Sequence, residues 1–350
     1  MRAAALPVAG AVLILTAVAA LAIVRGGGDE AASGAPASRQ AGVTDPGWSS
    51  HAYDGAVTLR HLDQIQATGA GWVVLVPTCY QARPRENHID CRSDETVDDA
   101  GLRRAIRAAH ARGLRVMLKP HVDLPGDADR ATIRPSSPRR WFADYTRMIT
   151  HYAELARDEG VEQLSVGTEL AGTSQRVDDW RRVIAAARSR FPGLMTYAAN
   201  YDEFAQIGFW RDLDAIGIDA YWPLASRPTR SVATLVRAWR PIREQLRHLS
   251  VEMGRPVLFT EAGYVSQRGA TTAPYSWTIS RRRDDAEQAA AYEALLRVFW
   301  EQPWFLGVHW WMWDDRPDSG EPQGIDYTPH GKAAEDVLRQ WWDRGAAHPG

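Results

Sequence analysis

Cysteine is scarce in this sequence, and this scarcity limits its metal and redox chemistry. Cys79 and Cys91 are the only cysteines among 350 residues. Without a second cysteine pair or a nearby histidine pair, the four ligands of a structural zinc site are lacking. In an exported protein we expect these two cysteines to form a disulfide that closes the polar loop between them and contributes about 3 kcal/mol at most. Two free thiols are the alternative.

An excess of charge of either sign is also absent. The formal net charge is −2 and the sequence pI is about 6.6. Such a chain offers no basic field to a phosphate backbone, and it has no stripe of basic and aromatic residues. We therefore expect no nucleic-acid partner. Lysine is rare, with Lys119 and Lys332 as the only two, and Lys119 draws attention because it lies beside a predicted strand end.

Several motifs of hydrolases and nucleotide enzymes are missing. The sequence has no His-Glu-x-x-His for a zinc hydrolase, no Gly-x-Ser-x-Gly elbow for a serine hydrolase and no phosphate-binding glycine-rich loop after a strand. The acidic clusters at 127–129 and 314–318 lack the regular ligand spacing of a calcium loop, so we interpret them as solvated loops. No cofactor and no metal site are predicted.

Only one long apolar run is present, and it lies at the amino terminus. Residues 3–24 are uncharged and apolar, Arg2 and Arg25 flank them, and a low-complexity stretch follows to Ser38. This pattern predicts an export segment in residues 1–25, either a cleaved signal peptide or a membrane anchor, and a flexible linker in residues 26–40. We expect the folded part, residues 41–345, to lie outside the cytoplasm as a monomer, with membrane contact only through the amino-terminal segment.

The folded part alternates short apolar runs with longer helical periodicity, which predicts repeated βα units. Eight strands are predicted, at 42–48, 72–78, 115–121, 163–169, 195–200, 215–221, 257–261 and 306–313. The intervening helices are predicted at 58–68, 100–112, 138–158, 178–190, 204–211, 231–249, 284–300 and 331–342. This order indicates a single α/β domain, a (β/α)₈ TIM barrel, whose active face lies at the carboxyl ends of the strands.

Two glutamates end predicted strands and are the main indication of function. Glu169 follows Ser165-Val166-Gly167-Thr168, and Glu261 follows Leu258-Phe259-Thr260. A buried charge at a strand end is costly unless it is paired or faces a cleft, so two of them suggest one reaction site, with structural ion pairs as the alternative. Two carboxyl groups across a barrel mouth suit glycoside cleavage, and we expect them to lie about 5–5.5 Å apart, as in a retaining mechanism.

Other polar residues lie at the same predicted strand ends. Lys119 and His121 are candidates for bonds to substrate hydroxyls, with a salt bridge to Asp123 or a nearby glutamate as the alternative. Asn200 either reaches substrate, holds Glu169, or is a turn residue. Tyr221 is expected to donate a hydrogen bond to Glu261, with core packing as the alternative.

Tryptophan is abundant, with 15 in the chain, and indole faces pack well on the C–H surfaces of sugars. Most are expected to pack helices onto the barrel. Four lie near predicted strand ends, and for these we favour sugar contact: Trp48, Trp222, Trp311 and Trp313.

Five short segments, in the same order along the chain, resemble glycoside hydrolase family 113, a family in the clan of retaining (β/α)₈ glycosidases. They are Gly71-Trp72-Val73-Val74-Leu75-Val76-Pro77 leading to Tyr80-Gln81, Val116-Met117-Leu118-Lys119-Pro120-His121, Val166-Gly167-Thr168-Glu169-Leu170, Phe259-Thr260-Glu261-Ala262-Gly263-Tyr264 and Trp311-Met312-Trp313-Asp314. The order of the segments carries the resemblance more than any one of them.

The resemblance implies an acid/base at Glu169, a nucleophile at Glu261, a substrate contact at Tyr80 and β-1,4-mannan as the substrate. Many relatives in this clan have asparagine before the acid/base glutamate, where this chain has Thr168. Enzymes of the same mechanism that act on xylan, β-glucan or short oligosaccharides are alternatives, as is a noncatalytic carbohydrate-binding barrel.

Overall fold

The computed structural model describes residues 39–126, 128–314 and 324–346, and its strands form a closed parallel ring. The ring closes because β1 pairs with both β2 and β9. The strands are β1 Gln40–Gly47, β2 Trp72–Tyr80, β3 Arg115–Leu118, β4 His121–Asp123, β5 Gln163–Thr168, β6 Leu194–Asn200, β7 Ile216–Asp219, β8 Val257–Ala262 and β9 Phe305–Trp310. Since β3 and β4 share the third position, the ring is the eight-stranded TIM barrel that the sequence predicts.

The third barrel strand is interrupted where the sequence predicts one continuous strand. Pro120 has no N–H to donate to a neighbouring strand, so the ladder stops beside it. Lys119 still donates its backbone N–H to Leu75 O at 2.9 Å, and pairing with β2 resumes at His121. The break therefore sets Lys119 between two short strands close to the carboxyl ends of the barrel.

Helices surround the ring, and their order follows the predicted βα units. They are α1 Ala56–Ala67, α2 Asp99–His110, α3 Pro138–Asp158, α4 Ala171–Ser174, α5 Val177–Arg188, α6 Val232–Met253, α7 Asp285–Phe299 and α8 Ala333–Ala346. The helix predicted at 204–211 is instead two 3₁₀ turns, Phe204–Gln206 and Trp210–Asp212, with the poor helix former Gly208 between them. No helix in the described ranges is long and apolar enough to cross a membrane.

Side chains of β2 show how the core divides into two layers. Val74 and Val76 point into the barrel, whereas Val73 and Leu75 pack against the helices. This alternation follows from the two-residue period of a strand. The layer between barrel and helices is rich in aromatic side chains, and Trp141, Trp180 and Trp239, predicted from their helical positions to be packing residues, are fully buried there.

Candidate active site

Glu261 reaches the barrel mouth because the pairing of β8 is irregular. Regular alternation would place it on the face of Phe259, which stacks on Trp239 in the outer layer. The register of β8 shifts beside both β7 and β9 near its carboxyl end. Such an irregularity redirects the side chains that follow it, and the Glu261 carboxylate lies among side chains of other strands inside the mouth.

Both oxygens of Glu261 receive hydrogen bonds. Lys119 Nζ lies 2.5 Å from Oε1, and the Tyr221 hydroxyl donates to Oε2 at 2.7 Å. Lys119 Nζ also lies 3.2 Å from each oxygen of Asp219, which accepts a further bond from Thr260 Oγ1 at 2.7 Å. Charge-assisted bonds of this kind are strong and fix the orientation of the carboxylate. The expected contact between Tyr221 and Glu261 is present, and Lys119 forms an ion pair with Glu261.

Glu169 follows β5 in an unusual backbone conformation. Its φ is +54°, in the left-handed region that few non-glycine residues adopt. The Glu169 N–H donates to Ala198 O at 2.8 Å, and the Leu170 N–H donates to the Tyr197 hydroxyl at 2.9 Å. Strain of this type costs of order 1–3 kcal/mol and persists where surrounding contacts enforce it, commonly at functional sites.

Arg130 connects Glu169 to the third barrel strand. Its Nε lies 2.6 Å from Asp123 Oδ1, while Nη1 lies 3.5 Å from Glu169 Oε2 and donates to His121 Nδ1 at 2.9 Å. Asp123 thus pairs with Arg130 rather than with Lys119. Arg130 could not be predicted from the sequence, since it lies in a 3₁₀ turn, Arg130–Thr132, outside any periodic segment.

The environment of Glu169 favours its protonated form. Burial raises the pKa of Glu169 well above its ordinary value, and the charges of Asp219 and Glu261 raise it further, whereas Arg130 and Lys119 oppose the rise. Glu261, by contrast, has two donors aimed at its oxygens. The two carboxyl groups are therefore in different surroundings, as a division between proton donor and nucleophile requires.

Asp219 is a second site residue that the sequence-based prediction did not assign. Burial and the nearby Glu261 raise the pKa of Asp219 to about 7. Burial alone would lower the pKa of Lys119, but Asp219 and Glu261 raise it, so the ammonium group stays charged. The available signal was the same as for the glutamates, because Asp219 ends a buried strand.

His121 and Thr168 carry unpaired polar atoms close to the carboxyl ends of the barrel strands. Burial and the charges of Arg130 and Lys119 lower the pKa of His121 well below its ordinary value, so the ring is neutral. Arg130 can only donate, which makes His121 Nδ1 the acceptor and leaves the proton on Nε2. Within the described ranges, His121 Nε2 and Thr168 Oγ1 are buried without a hydrogen-bond partner. Such atoms are suited to bind ligand hydroxyls.

An aromatic wall adjoins these polar groups. Trp311 stacks on His121 with ring centroids 6.3 Å apart, and Trp48 meets Trp311 edge to face at 6.3 Å. Trp48 is 37% exposed, and the peptide between Trp311 and Met312 is cis. Trp48 and Trp311 thus lie at the carboxyl end of the barrel next to the charged cluster, where a sugar ring can pack on them.

Two other tryptophans predicted to contact sugar pack against helices. Trp222 packs into the outer layer, with Trp239 and Phe259 at ring-centroid distances of 5.7 and 6.1 Å. Trp313 is fully buried and donates its indole N–H to Gln64 of α1 at 2.9 Å. We therefore correct the expected sugar contact of Trp313 to packing against α1, because its indole is fully buried. Trp222 is partly exposed beside its helix contacts, and its sugar contact stays a prediction.

Asn200 ends β6 and makes a turn through its backbone. Its carbonyl accepts from the Glu203 N–H at 2.9 Å, and its own N–H donates to Glu203 Oε2 at 3.2 Å. These bonds correspond to the turn alternative considered from the sequence.

The two cysteines form the expected disulfide, with an S–S distance of 2.09 Å. It closes a loop that starts at Tyr80, whose backbone exchanges two 2.8 Å hydrogen bonds with Asp90. The Tyr80 hydroxyl is partly buried, and burial together with the charge of Asp123 raises its pKa to about 12. Tyr80 therefore lies beside the Asp123 end of the charged cluster as a neutral phenol.

One group of potential metal ligands lies outside the barrel mouth in the described ranges. His51, Asp54 and Asp98 have ligand atoms within 4.8 Å of one another, and all three are exposed. Arg104 pairs with Asp54, and Asp98 caps α2 by accepting from Gly101 N. Of the acidic clusters noted in the sequence, Asp127, Asp315 and Asp318 lie outside the described residues.

Comparison with known proteins agrees with this fold. The sequence profile of Glycoside Hydrolase Family 113 matches residues 47–332. A solved GH113 β-mannanase from Alicyclobacillus acidocaldarius, in complex with ManMIm, is 27% identical, with a TM-score of 0.80 over 88% of this chain and 98% of its own. A complex structure of a GH113 β-1,4-mannanase is 25% identical, with a TM-score of 0.79 over 88% of this chain and 99% of its own. No curated protein matches the chain in sequence.

A parallel (β/α)₈ barrel with acidic side chains at the carboxyl ends of its strands is the architecture of a large class of glycoside hydrolases. The chain belongs to glycoside hydrolase family 113, as the profile match over most of its length shows. It is accordingly a glycoside hydrolase that acts on a polysaccharide or oligosaccharide.

Proposed function

We propose that this protein is a retaining endo-β-1,4-mannanase with Glu261 as nucleophile and Glu169 as acid/base. The observation that carries the proposal is the contrast between the two carboxyl groups. Glu261 has Lys119 and Tyr221 on its oxygens, whereas burial and neighbouring anions raise the pKa of Glu169. The two donors orient Glu261 for attack, and Glu169 is kept protonated to donate.

The proposed reaction has two halves. First, a Glu261 oxygen attacks the anomeric carbon, the bond to the leaving oxygen breaks, and that oxygen takes the proton of Glu169. Then Glu169, now a carboxylate, takes a proton from the water that attacks the same carbon and releases Glu261. Arg130, 3.5 Å from Glu169, favours this carboxylate in the second half. The expected separation of the two carboxyl groups is about 5–5.5 Å.

Mannan is proposed as substrate because the solved structures reported above are β-mannanases of the same family. The aromatic wall of Trp48 and Trp311 is consistent with stacking of sugar rings, and His121 Nε2 and Thr168 Oγ1 supply bonds to hydroxyls. A screen on mannan, glucomannan, xylan and β-glucan with product-size analysis tests this choice. Internal cleavage of mannan supports the proposal, and preference for xylan or β-glucan reassigns the substrate.

Variants test the two roles separately. Glu261→Ala should abolish hydrolysis while the protein remains folded. Glu169→Ala should retain slow cleavage of an activated aryl β-mannoside, and added azide should partly restore turnover. Asp202→Asn serves as control, since Asp202 is an exposed carboxylate on the turn after β6. Undiminished activity of Glu261→Ala contradicts the nucleophile role, and an inverted anomer in the first product, read by NMR, contradicts retention.

The proposed place of action is outside the cytoplasm, with either a cleaved or an uncleaved amino-terminal segment. The export-like composition of residues 1–25 and the disulfide support this. Amino-terminal sequencing of the protein recovered from medium and membrane fractions separates secretion from anchoring. Recovery only from the cytoplasm contradicts export.

A further inference from the structure

Lys119 contacts two carboxylates, Glu261 and Asp219, although one carboxylate would balance its charge. Its ammonium group is fully buried, with one Glu261 oxygen at 2.5 Å and both Asp219 oxygens at 3.2 Å. Asp219 is itself fully buried and is held by Thr260. The two carboxylates thus share one cation, although only Glu261 has a role in the proposed reaction.

The charge on Glu261 changes during that reaction. In the glycosyl-enzyme, one Glu261 oxygen is bonded to the anomeric carbon, so the side chain is a neutral ester. An isolated ammonium group buried without a counter-ion is strongly disfavoured. Lys119 therefore needs a second anion at the stage when Glu261 no longer supplies one.

We propose that Asp219 is the permanent counter-ion of Lys119, which keeps the ammonium group charged and in place while Glu261 is esterified. The inference rests on the proposed retaining mechanism and adds a positioning residue to it. Asp219 forms and breaks no covalent bond. It acts through Lys119, which stabilises the site around the nucleophile before, during and after the covalent stage.

Other groups around Lys119 do not take this role. His121 and His309 are neutral. Burial and the Lys119 charge lower the pKa of His309 to about 3. Burial and the charges of Arg130 and Lys119 lower the pKa of His121 well below its ordinary value. Glu169 is paired with Arg130. Asp219 is thus the carboxylate, besides Glu261, that contacts Lys119 within the described ranges.

The electrostatics of Asp219 fit this role. In the free enzyme, burial and the Glu261 charge raise the pKa of Asp219 to about 7. Esterification of Glu261 removes one of these causes, and the carboxylate formed on Glu169 at that stage is paired with Arg130, so the Asp219 carboxylate is favoured when Lys119 depends on it. When Glu261 loses its charge, the negative charge beside Lys119 therefore falls by less than one full unit.

A double-mutant cycle tests the inference in the full enzyme. Asp219→Asn, Lys119→Gln and the double variant are compared by kcat/KM on an activated aryl β-mannoside. This constant includes the transition state of glycosyl-enzyme formation, in which Glu261 loses its charge to the new ester bond. We expect Asp219→Asn to lower kcat/KM by about 10- to 100-fold in the presence of Lys119, and by less than about threefold in the Lys119→Gln background. Product affinity should change little, because Asp219 acts on the charged site rather than on the sugar.

Two results overturn the inference. The first is a kcat/KM of Asp219→Asn within twofold of wild type. The second is a double variant whose fold loss in kcat/KM equals the product of the two single-variant losses. If Asp219→Asn fails to fold, Thr260→Val removes the bond that holds Asp219 and should produce a smaller loss that also disappears in Lys119→Gln; persistence of that loss contradicts the inference.

Failure of the proposed function gives a different result. A 2-deoxy-2-fluoro-β-mannosyl fluoride should add one glycosyl mass to the wild-type protein at Glu261, as read by mass spectrometry of peptides. A wild type that hydrolyses β-mannosides without such an adduct at Glu261 contradicts the covalent mechanism itself. A wild-type adduct together with a fully active Asp219→Asn variant contradicts only the role of Asp219.

Discussion

Removal of the Tyr221 hydroxyl is the most informative single-atom change at the site. Tyr221→Phe keeps the ring, its burial and its edge contact with Tyr327 at 6.2 Å, but it deletes the 2.7 Å bond to Glu261 Oε2. Lys119 continues to hold the other oxygen. The carboxylate then turns more freely about its last torsion, and the attacking oxygen is less well directed.

The expected size follows from the strength of the bond. A hydrogen bond to a charged group contributes about 1.5–3 kcal/mol, and each 1.4 kcal/mol corresponds to a factor of ten. We therefore expect kcat/KM on mannan or an aryl β-mannoside to fall by about 10- to 150-fold. The dissociation constant of a substrate bound to the Glu261→Ala form should stay unchanged when Tyr221→Phe is added, because the hydroxyl bonds the nucleophile.

The chain offers a matched control for this change. Tyr264 is fully buried three residues after Glu261, and within the described ranges its hydroxyl has no hydrogen-bond partner. Tyr264→Phe removes the same atom from a similar environment and should leave kcat/KM within about twofold of wild type. If both variants keep full activity, or if both lose it equally, the reasoning about Tyr221 is refuted.

Three further outcomes are expected. Glu169 must be protonated to donate, so activity should fall as pH rises through its raised pKa. Arg130→Gln removes a cation that lowers this pKa and should therefore move the alkaline limb of the kcat/KM profile to higher pH. An alkaline limb that does not move contradicts the pairing of Arg130 with Glu169. A raised folded-state pKa contributes stability at low pH that is lost as pH rises through it. Glu169→Gln should therefore raise the melting temperature at pH 9, by about 1.5 °C per kcal/mol relieved, but not at pH 4.5. The double variant Cys79→Ser with Cys91→Ser should lower the free energy of unfolding in urea by about 3 kcal/mol at most, and no loss contradicts a stabilising disulfide.

Strand and helix order could be predicted from the sequence because each element carries its own periodicity. The eight barrel positions and most of the helices fall within a few residues of their predicted places. Glu169 and Glu261 were found for a local reason as well, since each ends an apolar run. The disulfide needed only the count of cysteines and the expectation of export.

Contacts between distant segments could not be predicted in this way. The direction of Glu261 depends on register shifts of β8 against two neighbours, and a single strand's sequence does not encode them visibly. Arg130 reaches Glu169 from a loop without periodicity, 39 positions earlier in the chain. The four strand-end tryptophans looked equivalent in sequence, yet Trp222 and Trp313 pack against helices, whereas Trp48 and Trp311 lie next to the charged cluster.

The loop closed by the disulfide has a consequence for engineering. It bonds to the segment that follows Arg130: the Arg134 N–H donates to Pro84 O at 2.8 Å, and the Ser136 N–H donates to Arg85 O at 3.0 Å. The loops that follow the second and third barrel positions are thereby joined by main-chain hydrogen bonds. A chimera that imports one of them from another barrel without its companion breaks these bonds and displaces Arg130, so the pair must be exchanged as one unit.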